Sequence, residues 1–234
     1  MQTILSFVQN SWLALLLTAV VAYLFGSLNS AIIVTKALAK DDIRNFGSGN
    51  AGATNVLRSQ GKLPAILTTA GDLLKSFCAV LIGGWLLKTI GATDVITPQM
   101  YGLIGAYLAG VFCILGHLYP LYFGFKGGKG VLTSLGMMLI LDWKVALICL
   151  GIFIVVVCFS RMVSLGSVIA AVSLPVMTFI FRTYIYHQPA TVVAFCTAMA
   201  VLIGLILICK HIPNIKRILN GTENKLSFKS KHSS

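Results

Sequence analysis

Between Asp42 and Arg58 the chain reads Asp-Ile-Arg-Asn-Phe-Gly-Ser-Gly-Asn-Ala-Gly-Ala-Thr-Asn-Val-Leu-Arg, small and polar residues set between two arginines. Gly47, Gly49 and Gly52 tolerate positive φ and close backbone approach, so successive N–H groups can turn toward one point and form a concavity for an anion. Arg44 and Arg58 can add bidentate contacts to phosphate or carboxylate. Ser48, Asn50, Thr54 and Asn55 add hydroxyl and amide groups within the same run. A plain connector also carries turn residues, but rarely Asn and Thr spaced so regularly among glycines.

A second run, Gly-His-Leu-Tyr-Pro-Leu-Tyr-Phe-Gly-Phe-Lys-Gly-Gly-Lys-Gly from Gly116 to Gly130, ends in a glycine-rich turn that feeds a short apolar segment starting near Val131. The unpaired N–H groups and positive dipole end of a helix start favour phosphate, and Lys126 and Lys129 beside Gly127, Gly128 and Gly130 add point charge. This is not the nucleotide-binding P-loop, because Phe123 stands where its first glycine would be and Gly130 replaces the Ser or Thr after the lysine. A third run, Lys210 to Glu223, has Ile215, Ile218 and Leu219 at helical spacing. It predicts a short amphipathic helix on the inner membrane surface, with His211, Asn214 and Arg217 within reach of one another; binding of anionic lipid is its plainer use.

Three further features bear on chemistry. Asp72 and Lys75, three residues apart in an apolar run, share a helix face and can pair, as costly intramembrane charges usually do. His117 suits either a base or nucleophile or a hydrogen-bonded interface histidine. Arg161, followed by Ser164 and Ser167, either joins an anion site or anchors topology.

The elements that must position these residues are membrane helices. Of 234 residues, 57% are apolar and 10% charged, with mean hydropathy +0.91, against roughly 25% charged in a soluble domain. The net charge of +12 does not mark a nucleic-acid reader, because the basic residues fringe oily segments. Seven spans are expected, about Trp12 to Val34, Leu63 to Leu87, Met100 to Gly116, Val131 to Leu141, Val145 to Phe159, Val163 to Phe181 and Ala190 to Cys209. Val131 to Leu141 rises only about 16 Å at the helical pitch, against roughly 30 Å of hydrocarbon. With the N-terminus outside, most lysines and arginines fall inside and only Lys88, Lys144 and Arg182 fall outside, which is the membrane-topology preference. The fold class is therefore an all-α polytopic bundle, one domain over 1–234, with a basic cytoplasmic tail at 210–234. The first charge is Lys36, so the opening run lacks the basic start of a cleavable signal and is expected to remain as a span. Six singly placed cysteines suggest neither disulfides nor zinc, and no metal or cofactor is expected.

The three polar runs all fall on the inner face, which implies one pocket for a phosphorylated substrate beside lipid. Taken together, Asp42 to Arg58, Gly116 to Gly130 and His211-x-x-Asn214-Ile-x-Arg217 with Gly221-Thr-Glu223 closely resemble the bacterial PlsY acyl-phosphate:glycerol-3-phosphate acyltransferases, in order and over nearly the whole chain. Gly26-Ser27 and Ser164-Leu-Gly-Ser167 also fit. The resemblance implies a seven-span inner-membrane enzyme, with its active site on the cytoplasmic side. It would move a fatty acyl group from acyl phosphate to the sn-1 hydroxyl of glycerol 3-phosphate, releasing lysophosphatidic acid and phosphate. It assigns functional roles to Arg44 and to Ser48 or Ser27, glycerol-3-phosphate binding to Gly127, Gly128, Lys129 and Gly130, further roles to His211 and Asn214, and a mainly structural one to Glu223. An enzyme that produces the acyl phosphate is an implied partner.

Two positions depart from that pattern. Asp72-Leu-Leu-Lys75 is followed by Ser76 where many members have Gly, and Ile212-Pro213 replaces a more polar pair, which puts the local helix start in question. The five-residue His-to-Asp spacing of thioester-using acyltransferases does not occur: Tyr122, Val192 and Lys216 stand at that distance from His117, His187 and His211. An acyl phosphate is already activated, so direct attack by the glycerol hydroxyl suffices, with either His211 or a substrate phosphate taking the proton. The alternative class is a transporter or flippase for a phosphorylated solute, which would usually show internal repeats; neither glycine run has a second copy.

Overall fold

The computed structural model describes residues 2–91 and 96–226; Lys229, Lys231 and His232 of the basic tail lie outside the described residues. Among the described residues every regular element is helical. Six helical stretches there are long and apolar enough to cross a membrane: Leu5–Ala39, Lys62–Thr89, Pro98–Phe123, Trp143–Ser160, Val163–Ile185 and Ala190–Leu219. Val131–Leu141, the remaining expected span, is a helix of 11 residues and covers only about half of a hydrocarbon layer. By its contacts the chain divides into two compact units, Met1–Trp143 and Lys144–Ser234.

In the first unit the opening apolar run is not the single helix predicted from Trp12 to Val34. It forms α1 (Gln2–Ser27) and α2 (Ser30–Ala39), separated at Leu28 and Asn29. Asn29 makes the break: its side-chain oxygen accepts the N–H of Ile32 at 3.2 Å, the N-cap bond that starts a new helix. After it come α3 (Ala53–Gln60), α4 (Lys62–Thr89), α5 (Pro98–Leu118) and α6 (Val131–Leu141). Helices α1, α4 and α5 pack on one another, α6 lies on α4 and α5, and α2 and α3 lie on α4.

Small residues bring α1 and α5 together. A methyl on Gly26 would overlap the Cys113 carbonyl, and one on Gly116 the Tyr23 carbonyl, a close approach that membrane bundles use in place of a hydrophobic driving force. A separate apolar cluster of Ala31, Ile32, Ile43, Ala51, Val56 and Ala65 has Phe46 and Phe123 against it. It anchors both glycine-rich runs, since Ile43, Phe46 and Ala51 come from the first and Phe123 from the second.

The second unit contains α7, which starts at its boundary (Trp143–Ser160), α8 (Val163–Ile180), a π turn (Phe181–Ile185) and α9 (Ala190–Leu219). Gly166 of α8 faces Val157 and Phe153 of α7, and α8 packs along α9. The short amphipathic helix expected after Lys210 is not a separate element. Helix α9 continues for 30 residues through Pro213, because its buried stripe continues. Ala200, Ile203, Leu207, His211 and Asn214 recur every three or four residues and are all buried. A proline removes one ladder hydrogen bond and crowds the preceding turn; here that stripe carries the helix across it.

Candidate active site

The first glycine-rich run folds around two side chains. Asp42 starts a 3₁₀ turn over Ile43–Asn45, and its Oδ1 accepts the Arg44 backbone N–H at 3.0 Å and Nε–H at 2.9 Å, while Oδ2 accepts from Nη2 at 2.8 Å. These bonds hold the Asp42 carboxyl below its usual range and raise Arg44 above its own. The buried Asn55 closes the loop from the other side. It donates to the carbonyls of Ile43 at 3.2 Å and Phe46 at 2.9 Å, and accepts the Ser48 N–H at 3.1 Å. Gly47 and Gly49, at φ 54 and 69, make the tight reversal that leaves Ser48 exposed at the tip. Asn50 and Thr54 are half-buried beside it.

The second run is tied to the first by Arg44, whose Nη1 donates to the carbonyls of Phe123 at 2.7 Å and Lys126 at 3.2 Å. Ser27, the alternative functional serine, is buried. Its hydroxyl donates to the Tyr23 carbonyl at 2.9 Å and accepts the Leu121 N–H at 3.2 Å, so it secures the start of this loop. Tyr23 donates to the Tyr119 carbonyl at 2.6 Å. The Gly127 and Gly128 N–H groups donate to the carbonyls of Leu118 at 3.2 Å and His117 at 3.1 Å. Gly130, at φ 85, then turns the chain into α6. Lys126 is exposed and Lys129 half-buried on this loop.

In this arrangement the polar groups of Arg44 and Asn55 hold the two loops in shape. Gly127 and Gly128 likewise direct their N–H groups to the protein's own carbonyls. Ser48, Gly49 and Lys126 remain at the exposed surface of the joined loops.

Beneath them the Asp72–Lys75 pair forms as its spacing predicts, with Lys75 Nζ 2.8 Å from Asp72 Oδ1. The same ammonium lies 2.8 Å from His117 Nδ1 and 3.1 Å from the Leu28 carbonyl oxygen. A methyl on Gly128 would overlap both His117 Nε2 and the Ala51 carbonyl, so the two loops and the buried pair are in direct contact. Asn29 donates to that Ala51 carbonyl at 3.5 Å. Sequence reasoning missed Asn29, although an Asn directly before Ser-Ala-Ile-Ile is a helix-start signal.

In the second unit Glu223 gathers three partners. Its Oε1 accepts from Ser164 Oγ at 2.8 Å and Asn214 Nδ2 at 2.8 Å, and its Oε2 from Arg217 Nε at 2.8 Å. Burial pushes its carboxyl upward, but the three donors outweigh burial and leave it below its usual range. One turn before Asn214, His211 Nδ1 lies 2.8 Å from the Leu207 carbonyl oxygen. A carbonyl only accepts, so Nδ1 carries the proton and the neutral ring has its lone pair on Nε2. Among the described residues no group of three or more His, Cys, Asp or Glu side chains is placed to hold a metal ion.

The glycerol-3-phosphate acyltransferase family model matches residues 16–221. A glycerol-3-phosphate acyltransferase of Clostridioides difficile (strain 630) is 42% identical over 215 residues, covering 92% of this chain and 96% of the relative. That of Thermoanaerobacter pseudethanolicus is 41% identical over 214 residues, with 92% and 96% covered. The crystal structure of PlsY, an integral membrane glycerol 3-phosphate acyltransferase, superposes in its glycerol 3-phosphate form with TM-score 0.73 at 34% identity, covering 91% of this chain and 96% of that one. Its lysophosphatidic acid form gives TM-score 0.72 at 33% identity, with 91% and 95% covered. A helical, multi-pass membrane architecture and a match that takes in the first two polar runs and the third as far as Gly221 lead to one conclusion: this chain belongs to the glycerol-3-phosphate acyltransferase family.

Proposed function

We propose that this enzyme transfers a fatty acyl group from acyl phosphate to the sn-1 hydroxyl of glycerol 3-phosphate, giving lysophosphatidic acid and phosphate, at the cytoplasmic face of a bacterial inner membrane. The observation that carries the reading is that Arg44 joins the two glycine-rich loops in a chain of this acyltransferase family. The relative solved in glycerol 3-phosphate and lysophosphatidic acid forms supports the acceptor and the product. Membership of an acyltransferase family leaves the transporter alternative without support. The bias of lysines and arginines toward one set of connections supports the cytoplasmic orientation.

The chemistry asks little of the protein beyond orientation and charge. The hydroxyl oxygen attacks the acyl carbonyl carbon, the bond from that carbon to the phosphate oxygen breaks, and phosphate departs with the electron pair. Ser48, Gly49, Lys126 and Lys129 are assigned to holding the anionic groups, and Asn214 and Arg217, oriented by Glu223, to the same reaction. The hydroxyl proton passes to His211 Nε2 or to the substrate's own phosphate, which titrates near about 6. An enzyme that makes acyl phosphate is the implied partner.

The test is the purified full-length protein in detergent, given synthetic acyl phosphate and glycerol 3-phosphate. Stoichiometric lysophosphatidic acid and released phosphate are expected, with no product from an acyl thioester. Absence of product from acyl phosphate overturns the reading. In the same assay, wild-type turnover by folded His211→Ala and His211→Gln would assign the proton to the substrate phosphate.

A further inference from the structure

Lys75 sits on the inward face of α4 and is 5% exposed. An ammonium has three donors and no acceptor; this one is hydrogen-bonded to His117 Nδ1 and the Leu28 carbonyl oxygen and ion-paired with Asp72 Oδ1. Because the ammonium only donates, His117 Nδ1 must present its lone pair, which places the ring proton on Nε2. Asp72 Oδ1 is 3.6 Å from that Nδ1, beyond hydrogen-bond length, and does not compete for it. The protonated Nε2 edge lies against the Gly128 backbone, with no room even for a methyl group. The third leg of the ammonium holds Leu28, at the break whose next residue, Asn29, caps α2 and donates to Ala51 of the first loop. One buried charge thus reaches both glycine-rich loops, in each case through another residue.

We propose that Lys75 is a positioning residue for acceptor binding: it holds His117 neutral with its proton on Nε2, as the floor on which Gly127 to Gly130 rests, and fixes the α1–α2 break through Leu28. It touches no substrate. Its kinetic consequence rests on the function proposed above; the state of the His117 ring does not. His117 then differs from His211 in which nitrogen is bare, and it offers no lone pair toward the loop.

Removing Lys75 alone would leave the Asp72 carboxylate buried without its partner, a change that often costs folding itself. The informative variant is Asp72→Asn with Lys75→Met, which removes both charges at nearly constant volume. The full-length protein in detergent, labelled with ¹⁵N-histidine and assigned through His117→Gln, gives the ring-nitrogen spectrum. The wild type is expected to show a bare Nδ1 and a protonated Nε2 at His117, and the double variant to lose that pattern. In steady-state assays the double variant is expected to raise KM for glycerol 3-phosphate about tenfold, with kcat and the acyl-phosphate KM within about threefold of wild type. A wild-type His117 with a bare Nε2 overturns the proposal. So does a folded double variant whose glycerol 3-phosphate KM is unchanged, or one in which kcat and both KM values deteriorate together. If the wild type makes no lysophosphatidic acid, the proposed function fails, and the spectrum still decides the role of Lys75.

Discussion

Arg44 and Phe123 lie 79 residues apart in the chain and are joined by a 2.7 Å hydrogen bond from guanidinium to carbonyl. The opposite edge of the same fork holds Asp42 through two bonds, so one side chain both closes the first loop and fastens it to the second. A lysine carries the same charge but lacks the planar fork. Arg44→Lys and Arg44→Ala are therefore expected to lose activity to a similar extent, about tenfold to a hundredfold in kcat/KM. Steady-state kinetics on both variants check this, and near-wild-type activity in Arg44→Lys would show that charge alone is what the site needs.

Gly128→Ala should be severe although it adds one carbon, because that carbon has to displace His117 Nε2 and the Ala51 carbonyl. A shift of about 1 Å in a substrate-holding loop can cost about a hundredfold in rate, and a loss of that size is expected in kcat/KM. Gly151→Ala on α7, which meets nothing within 4 Å, is the control and should keep wild-type activity. Parallel assays of the two folded variants make the comparison.

Glu223 predicts a pH dependence of stability. Burial raises its carboxyl, but the bonds from Asn214, Ser164 and Arg217 outweigh burial, so its folded value lies below the ordinary one. The stabilisation is then fully present above the unfolded value of about 4.3 and is lost as pH falls through the folded value. Melting of the detergent-solubilised protein should shift downward as the pH falls from about 5.5, roughly one unit above the unfolded value, and on through the folded one. Glu223→Gln should melt lower at neutral pH and show a smaller acid-induced shift, with Asp42, depressed in the same direction, accounting for part of what remains.

Membrane helices were legible because the hydrocarbon layer imposes a length and an apolarity that few other settings do; the expected spans in the second half, apart from their ends, reappear as α7, α8 and α9. The Asp72–Lys75 pair was legible for a similar reason, since helical spacing alone puts the two residues together. The break at Asn29 was not, because hydropathy averages over one polar residue and the N-cap bond is local. Arg44 and Asn55 show the deeper limit. Their types and their place among glycines announce anion chemistry, yet a guanidinium or a carboxamide satisfies a backbone carbonyl as readily as a phosphate. Which one it meets depends on Phe123, Ile43 and Phe46 folding to the same spot, and that is tertiary information. The third run does not form the separate surface helix that Ile215, Ile218 and Leu219 suggest, because the buried stripe of Leu207, His211 and Asn214 continues helix α9 through Pro213.

The unbroken 30 residues of α9 have a mechanical consequence. A rod about 45 Å long outlasts a hydrocarbon slab of roughly 30 Å, and it carries His211 and Asn214 on the same piece that shows Leu202 and Leu205 to the surroundings. Its apolar part, Ala190 to Cys209, rises about 30 Å and already fills that slab, so the last ten residues, with His211 and Asn214 among them, stand clear of the hydrocarbon.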